Sequence, residues 1–208
     1  MKKRFIIILA FMMVFGLMLM PGCGAKDDGS SQGQDGTDKN GQTQAEDQSS
    51  EEAPASVSLA SFRTQDIDGN EVNQDIFKDY PLTLVNVWGT YCGPCLEEMP
   101  YLGELHKEYA DKGVNIVGIV IDAQDEDLQI IEDQRKLVKE IVEKTGADYT
   151  HLVVSNDLIE SVLTQFDAIP ASFFVDSSGN VVSELYIGSR SKKDWVDLIE
   201  KTMEKQQL

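Results

Sequence analysis

The sequence predicts an α/β domain in which strands and helices alternate, and three observations carry that expectation. Residues 82–88 (Leu-Thr-Leu-Val-Asn-Val-Trp) and 114–122 are apolar at nearly every position, the pattern of strands buried on both faces of a parallel sheet. Each run is followed by an amphipathic stretch of helical spacing that stops at a glycine, Gly113 in one case and Gly146 in the other, where a left-handed helix cap is expected. Towards the C-terminus, Ser177-Ser178-Gly179-Asn180 separates two strand-like segments, as a turn between antiparallel neighbours does.

Taken in order, residues 57–66 alternate weakly and run into Asp68-Gly69-Asn70, a hairpin signal that Glu71 and Val72 continue. Residues 82–88 are the first core strand. A helix over 93–111 follows, and Pro100 inside it predicts a kink. Val114, Ile116, Val117, Ile119, Val120 and Ile121 mark the second core strand. Asp125-Glu126-Asp127 opens the next helix by placing acids at its positive end. Ile130, Ile131, Leu137, Val138, Ile141 and Val142 form the apolar face of that helix. Residues 150–154 read as a strand and 158–166 as a helix. Ile169-Pro170 introduces the strand 171–175, which turns into 181–187. Ser191 and Asp194 have capping-box spacing ahead of a last helix through Trp195, Leu198 and Ile199. The order is β-α-β, an additional helix, β-α, then β-β-α, with no internal repeat.

Cys92-Gly93-Pro94-Cys95 sits at the junction of the first core strand and its helix, with Cys92 at the helix start. A thiol there meets unpaired main-chain N–H groups and the positive end of the helix dipole, which favour the thiolate. The thiolate is the attacking species in disulfide exchange, and a second thiol three residues on can close the ring. The pair therefore predicts redox exchange. A zinc site would need four ligands, and neither Cys23 nor His106 nor His151 has ligand spacing to the pair, so the expected metal is none. A purely structural bridge would close too small a loop to contribute much stability.

The start of the chain is expected to direct export. Lys2, Lys3 and Arg4 precede an apolar run over 5–20 that ends at Leu19-Met20-Pro21-Gly22-Cys23. The run is short for a spanning helix and suits a signal segment. Its end resembles the bacterial lipoprotein signal, which implies lipidation of Cys23, although Met20 and Pro21 depart from the usual residues before the cleavage site. The domains expected are a signal over 1–23, a linker over 24–56 and a folded domain over 57–208. The linker is Gly, Ser, Gln and acid with almost no apolar residue, too little to order itself, and as a coil it spans about 30 Å. Outside the cytoplasm structural thiols tend to be oxidised, so a folded part with only two cysteines keeps them for exchange. The formal charge is −18, and removing the three cations Lys2, Lys3 and Arg4 leaves −21. That balance argues against nucleic acid and anionic lipid surfaces as partners.

Trp88-Gly89-Thr90-Tyr91-Cys92-Gly93-Pro94-Cys95, Glu97-Glu98-Met99-Pro100 and Ile169-Pro170-Ala171-Ser172-Phe173-Phe174-Val175-Asp176, with Phe62, Asp66, Asp68 and Gly69 before them, resemble the thioredoxin superfamily. The similarity is to its exported, membrane-tethered branch related to TlpA and ResA, over residues 57–208. The resemblance implies a thioredoxin-like α/β fold: a central mixed β-sheet flanked by helices, an N-terminal β-hairpin and an inserted helix after the second core strand. It implies a thiol-disulfide oxidoreductase without a bound cofactor, in which Cys92 attacks, Cys95 resolves and Glu98 assists. Trp88, Tyr91, Gly93, Pro94, Ile169 and a cis Pro170 would form the substrate surface, and the Ile169 main chain would be free to pair with an extended segment. Glu98 lies three residues after Cys95 and shares its helix face; in a partly apolar site its pKa would rise toward neutrality. Tyr91 departs from the Trp usual before the first Cys.

The expected partners are protein disulfides, a membrane thiol-disulfide electron donor and the membrane itself through the lipid, with the domain monomeric on the outer face. The substrates open are apocytochrome c, an envelope or sporulation protein, or a methionine sulfoxide reductase. A peroxidase of the peroxiredoxin type shares the fold but needs a Pro upstream in the loop, which is absent. A copper-binding chaperone would use CxxxC with a His, one residue longer than the spacing here. A solute-binding lipoprotein would have no use for a reactive pair.

Overall fold

The computed structural model describes residues 57–208; the expected signal, Cys23 and the linker lie outside the described residues. The first elements are β1 (Arg63–Gln65) and β2 (Glu71–Asn73), an antiparallel hairpin with Arg63 opposite Asn73. The hairpin turns at Asp66, whose carboxylate takes the main-chain N–H of Asp68 and of Asn70, both at 2.9 Å. Gly69 supplies the positive φ, 90°, that the turn needs. β3 (Leu82–Trp88) and β4 (Val114–Val120) are buried at every residue and pair in parallel, Leu82 with Val114 through Trp88 with Val120. Between them runs α1 (Gly93–Tyr109), continuous through Pro100.

β4 is followed by α2 (Glu132–Thr145), the inserted helix, and then by β5 (Thr150–Val153) and α3 (Asn156–Ser161). β6 (Ala171–Asp176) lies antiparallel to β3 and β7 (Tyr186–Ile187) antiparallel to β6, so the sheet order is β5-β4-β3-β6-β7 and the sheet is mixed. α4 (Lys192–Gln206) closes the chain, and its start carries the expected Ser191–Asp194 capping box.

Alternation along β3 divides the core. Leu82, Leu84 and Trp88 face a layer holding Met99, Leu102 and Leu105 of α1, Val138 of α2, and Trp195 and Ile199 of α4. Val85 and Val87 face the opposite layer, with Phe62, Phe77, Leu158 and Val162. Burying one such Leu or Phe side chain contributes about 1.5–3 kcal/mol. Asn86 falls on the first face, between Leu84 and Trp88, and so points a polar group into the apolar layer under α1. α1 approaches the end of α2 so closely that a Cβ on Gly103 would lie 2.2 Å from the Gly146 carbonyl oxygen.

Three expectations need correction. Asp125-Glu126-Asp127 does not open α2. The Asp125 carboxylate accepts from the main-chain N–H of Asp127 and Gln129, and a Gln124–Ile130 bridge closes the loop. A short acid that bonds its own backbone competes with helix, so α2 begins seven residues later than Asp125, with Glu132 and Asp133 as its dipole-complementing acids. The helix expected over 158–166 is α3 and then a separate 3-10 turn over Leu163–Gln165, broken at Val162 by an extended φ of −142°. The strand expected over 181–187 touches β6 at Val181 and leaves it. Ser183 Oγ takes the Phe174 N–H at 2.9 Å in place of a main-chain carbonyl, and pairing resumes only at β7.

Candidate active site

β3 ends at Trp88, and a turn closed by the Cys92 N–H to the Gly89 carbonyl, 3.1 Å, delivers Cys92 to the N-cap of α1. Its sulfur accepts the Cys95 N–H at 3.3 Å, in the place a Ser or Asp oxygen occupies at other helix starts. Pro94 lies in the first helical turn, where no N–H is required. Cys92 and Cys95 are joined by a disulfide. Cys92 is 7 % exposed and Cys95 is fully buried, so an incoming disulfide meets Cys92 first. Gly93 and Pro94 are exposed, and Tyr91 is 71 % exposed.

Glu98 is one turn further along α1 and is buried, unlike its exposed neighbour Glu97. Three donors reach it: Asn86 Nδ2 at 3.0 Å, the Arg190 main-chain N–H at 3.0 Å and Trp195 Nε1 at 3.2 Å. Burial pushes its carboxyl above the usual range; those three hydrogen bonds and the Arg190 charge pull the other way without cancelling it. A carboxyl held there can exchange a proton with a neighbouring thiol. Asn86 also donates to Ser172 Oγ at 3.0 Å, tying the start of β6 to the site.

The Ile169–Pro170 peptide is cis. The β3–β6 register, Val87 opposite Ala171, places Pro170 opposite Trp88, at the same end of the sheet as the cysteines. Ile169 lies outside every ladder and packs toward the loop: a Cβ on Gly89 would stand 3.0 Å from Tyr91 Cε1 and 3.3 Å from Ile169 Cδ1. Tyr91 and Ile169 line a groove of about 340 Å³ with Ile121, Val154, Leu163 and Phe166. Trp88 needs correction as a substrate-surface residue. It is fully buried, and its indole N–H donates to His151 Nδ1 at 3.1 Å. Its carbon surface completes the core beneath the loop and offers nothing to a partner.

The sequence pointed to the cysteines, Glu98, Tyr91 and Ile169–Pro170, which the structure gathers at one end of the sheet. It did not point to Asn86, Arg190 and Trp195, which donate to Glu98, to Ser172, which accepts from Asn86, or to His151. Asn86 left one signal, a lone amide inside an apolar strand. The others come from far along the chain: Ser172 on β6, Arg190 just before α4, Trp195 on α4 and His151 on β5.

With this geometry in place, residues 48–198 match the family described as Redoxin. The chain belongs to the Redoxin family. It is 32 % identical over 134 residues to the thiol-disulfide oxidoreductase ResA of Bacillus anthracis, covering 64 % of this chain and 69 % of that one. It is 31 % identical over 147 residues to the thiol:disulfide interchange protein DsbE of Vibrio cholerae, covering 69 % and 71 %. Among solved structures, a thiol:disulfide interchange protein of the thioredoxin family from Chlorobium tepidum superposes with a TM-score of 0.58 at 28 % identity, over 71 % of this chain and 97 % of that one. StoA of Bacillus subtilis, at 15 % identity and a TM-score of 0.51, shares the fold. This Redoxin-family protein is therefore a thioredoxin-like thiol-disulfide oxidoreductase of the ResA and DsbE type.

Proposed function

We propose that this oxidoreductase is a reductase of protein disulfides, held at the outer face of a bacterial membrane by a lipid on Cys23. The observation that carries the direction is the uncharged surround of the nucleophile. Thr90, Tyr91, Gly93, Pro94 and Leu96, its neighbours in the chain, bring no cation to Cys92, which leaves the helix N-terminus as the stabiliser these residues supply to its thiolate. A modestly stabilised thiolate gives up electrons readily.

In the reaction, the Cys92 thiolate attacks one sulfur of a substrate disulfide, and the other leaves as a thiolate. Cys95 then loses its proton toward Glu98 and attacks Cys92 Sγ, releasing the second substrate thiol. Two electrons pass from the Cys92–Cys95 dithiol to the substrate, and the protons of the pair go with them to the products. No bound cofactor enters, because the electrons reside in the pair. A membrane-held thiol-disulfide donor restores the dithiol. Support for a protein substrate comes from Tyr91, Gly93 and Pro94, exposed around a nearly covered sulfur, and from Ile169 beside them. Maturation of cytochrome c or repair of envelope thiols would use such a reductase.

A glutathione or dithiothreitol titration of the folded domain tests the direction. The expected potential lies near the thioredoxin value of about −270 mV. A value above about −180 mV, where oxidising isomerases lie, would make the protein a disulfide donor.

A further inference from the structure

The inserted helix touches the active-site loop at one polar point. Asp122, just past the end of β4, accepts the Thr90 main-chain N–H at 3.0 Å and the Thr90 hydroxyl at 2.5 Å. Gln134, in the first turn of α2, donates from the same amide nitrogen to Thr90 Oγ1 at 2.7 Å and to Asp122 Oδ2 at 3.1 Å. Every proton in the cluster has a place. The hydroxyl gives one and receives one, and the amide uses both of its own. Turning the amide over would set its oxygen against a carboxylate and against a hydroxyl whose proton is already committed, so the network selects one orientation.

We infer that Gln134 is a positioning residue for substrate recognition, which rests on the reading of this site as a protein-disulfide exchanger. The Gly89–Tyr91 segment has two fixed ends. Behind it, the Ile121 N–H bonds the Trp88 carbonyl at 3.0 Å. Ahead of it, Cys92 is held by α1 through its own N-cap contact. Between those ends, Thr90 is the handle, and Gln134 closes the clasp on it from a different element. Tyr91 follows Thr90 directly and folds back over Gly89 against Ile169. A loosened Thr90 therefore moves the wall of the groove that Tyr91 and Ile169 share, while Cys92 keeps its seat. Gln134 is half-buried on a helix whose buried contact is Val138, so neither helix propensity nor core packing requires a glutamine there.

The distinguishing test compares a folded protein disulfide, insulin, with hydroxyethyl disulfide, which has no peptide to dock. In Gln134→Leu, KM for insulin should rise about tenfold, as misplacement of a positioning contact does, while the rate with hydroxyethyl disulfide stays within about twofold. Thr90→Val, which keeps the main-chain bond to Asp122, should give the same pattern, and the double variant should be no worse than either single one because both open the same clasp. Lys136→Ala, on the exposed face of α2, serves as the control. Unchanged insulin kinetics in both folded variants would overturn the inference, and so would equal losses on the two substrates, which would mark a general structural role. Should Gln134→Leu fail to fold, Thr90→Val alone decides by the same criteria. A wild-type protein that exchanges hydroxyethyl disulfide but never insulin would instead defeat the reading on which the inference rests.

Discussion

Taking a carboxylate out of water costs on the order of several kcal/mol, and Glu98 recovers part of that through Asn86, Arg190 and Trp195. Those bonds do not cancel the cost, and burial still raises its pKa above the ordinary 4.5. A carboxyl with a raised folded-state pKa contributes stability fully below the unfolded value and loses it as pH rises through the folded value. Glu98→Gln should therefore flatten the fall in stability above about pH 4.5, read as denaturant midpoints across pH. It should also slow release of the mixed disulfide by roughly 100-fold or more and remove the corresponding inflection from the pH–rate profile. An unaltered profile would reduce Glu98 to a structural anchor. Its place was legible because three residues beyond Cys95 is one helical turn. The three donors around it were not, since Arg190 and Trp195 are 92 and 97 residues away in the chain, and nothing in a local pattern encodes such a meeting.

At the scale of elements, β3, β4 and β5 are locked through one histidine. His151 on β5 accepts the Trp88 indole proton on Nδ1 and bonds the Ala147 carbonyl through Nε2 at 2.9 Å. Gly118 on β4 makes the room, since a Cβ there would lie 2.3 Å from Nδ1. A second ring proton would confront the Trp88 N–H, and burial lowers the His151 pKa to about 4 despite the opposing Ala147 bond. A depressed histidine contributes stability present above the unfolded value of 6.5 and lost as pH falls toward the folded value. The domain should lose about 3 kcal/mol between pH 6.5 and about 4 from this group. Urea unfolding followed by Trp fluorescence measures the loss. His151→Leu should be less stable at neutral pH, because the indole N–H is orphaned, yet lack that pH slope; a retained slope would assign it to other groups.

The strands themselves were readable, because full burial makes their apolar runs continuous. So were the glycine stops at Gly113 and Gly146, both left-handed with φ of 82° and 67°. The start of α2 and the break after Val181 were not, because there Asp125 and Ser183 replace main-chain partners with side-chain ones. Acid content and apolar content do not distinguish that choice from a helix or a strand.

For the molecule as a whole, the proposed anchoring at a membrane has to be squared with a strongly acidic chain. At a formal −18, it is repelled by anionic lipid surfaces, so affinity of the folded part could not hold it at the proposed membrane. A covalent anchor can. One acyl chain alone binds marginally, whereas the several chains of a lipidated N-terminal cysteine hold firmly. On this reading Cys23→Ala leaves Cys92–Cys95 chemistry intact and changes only location. The variant should appear in the medium or the soluble envelope fraction, or remain as an unprocessed precursor of higher mass, with the exchange rate of the purified domain unchanged. Membrane fractionation after a high-salt wash, with mass spectrometry of the N-terminus, measures both outcomes. A Cys23→Ala protein that is processed normally and still sediments with the membrane would overturn the lipid anchor and leave retention to another part of the first 56 residues.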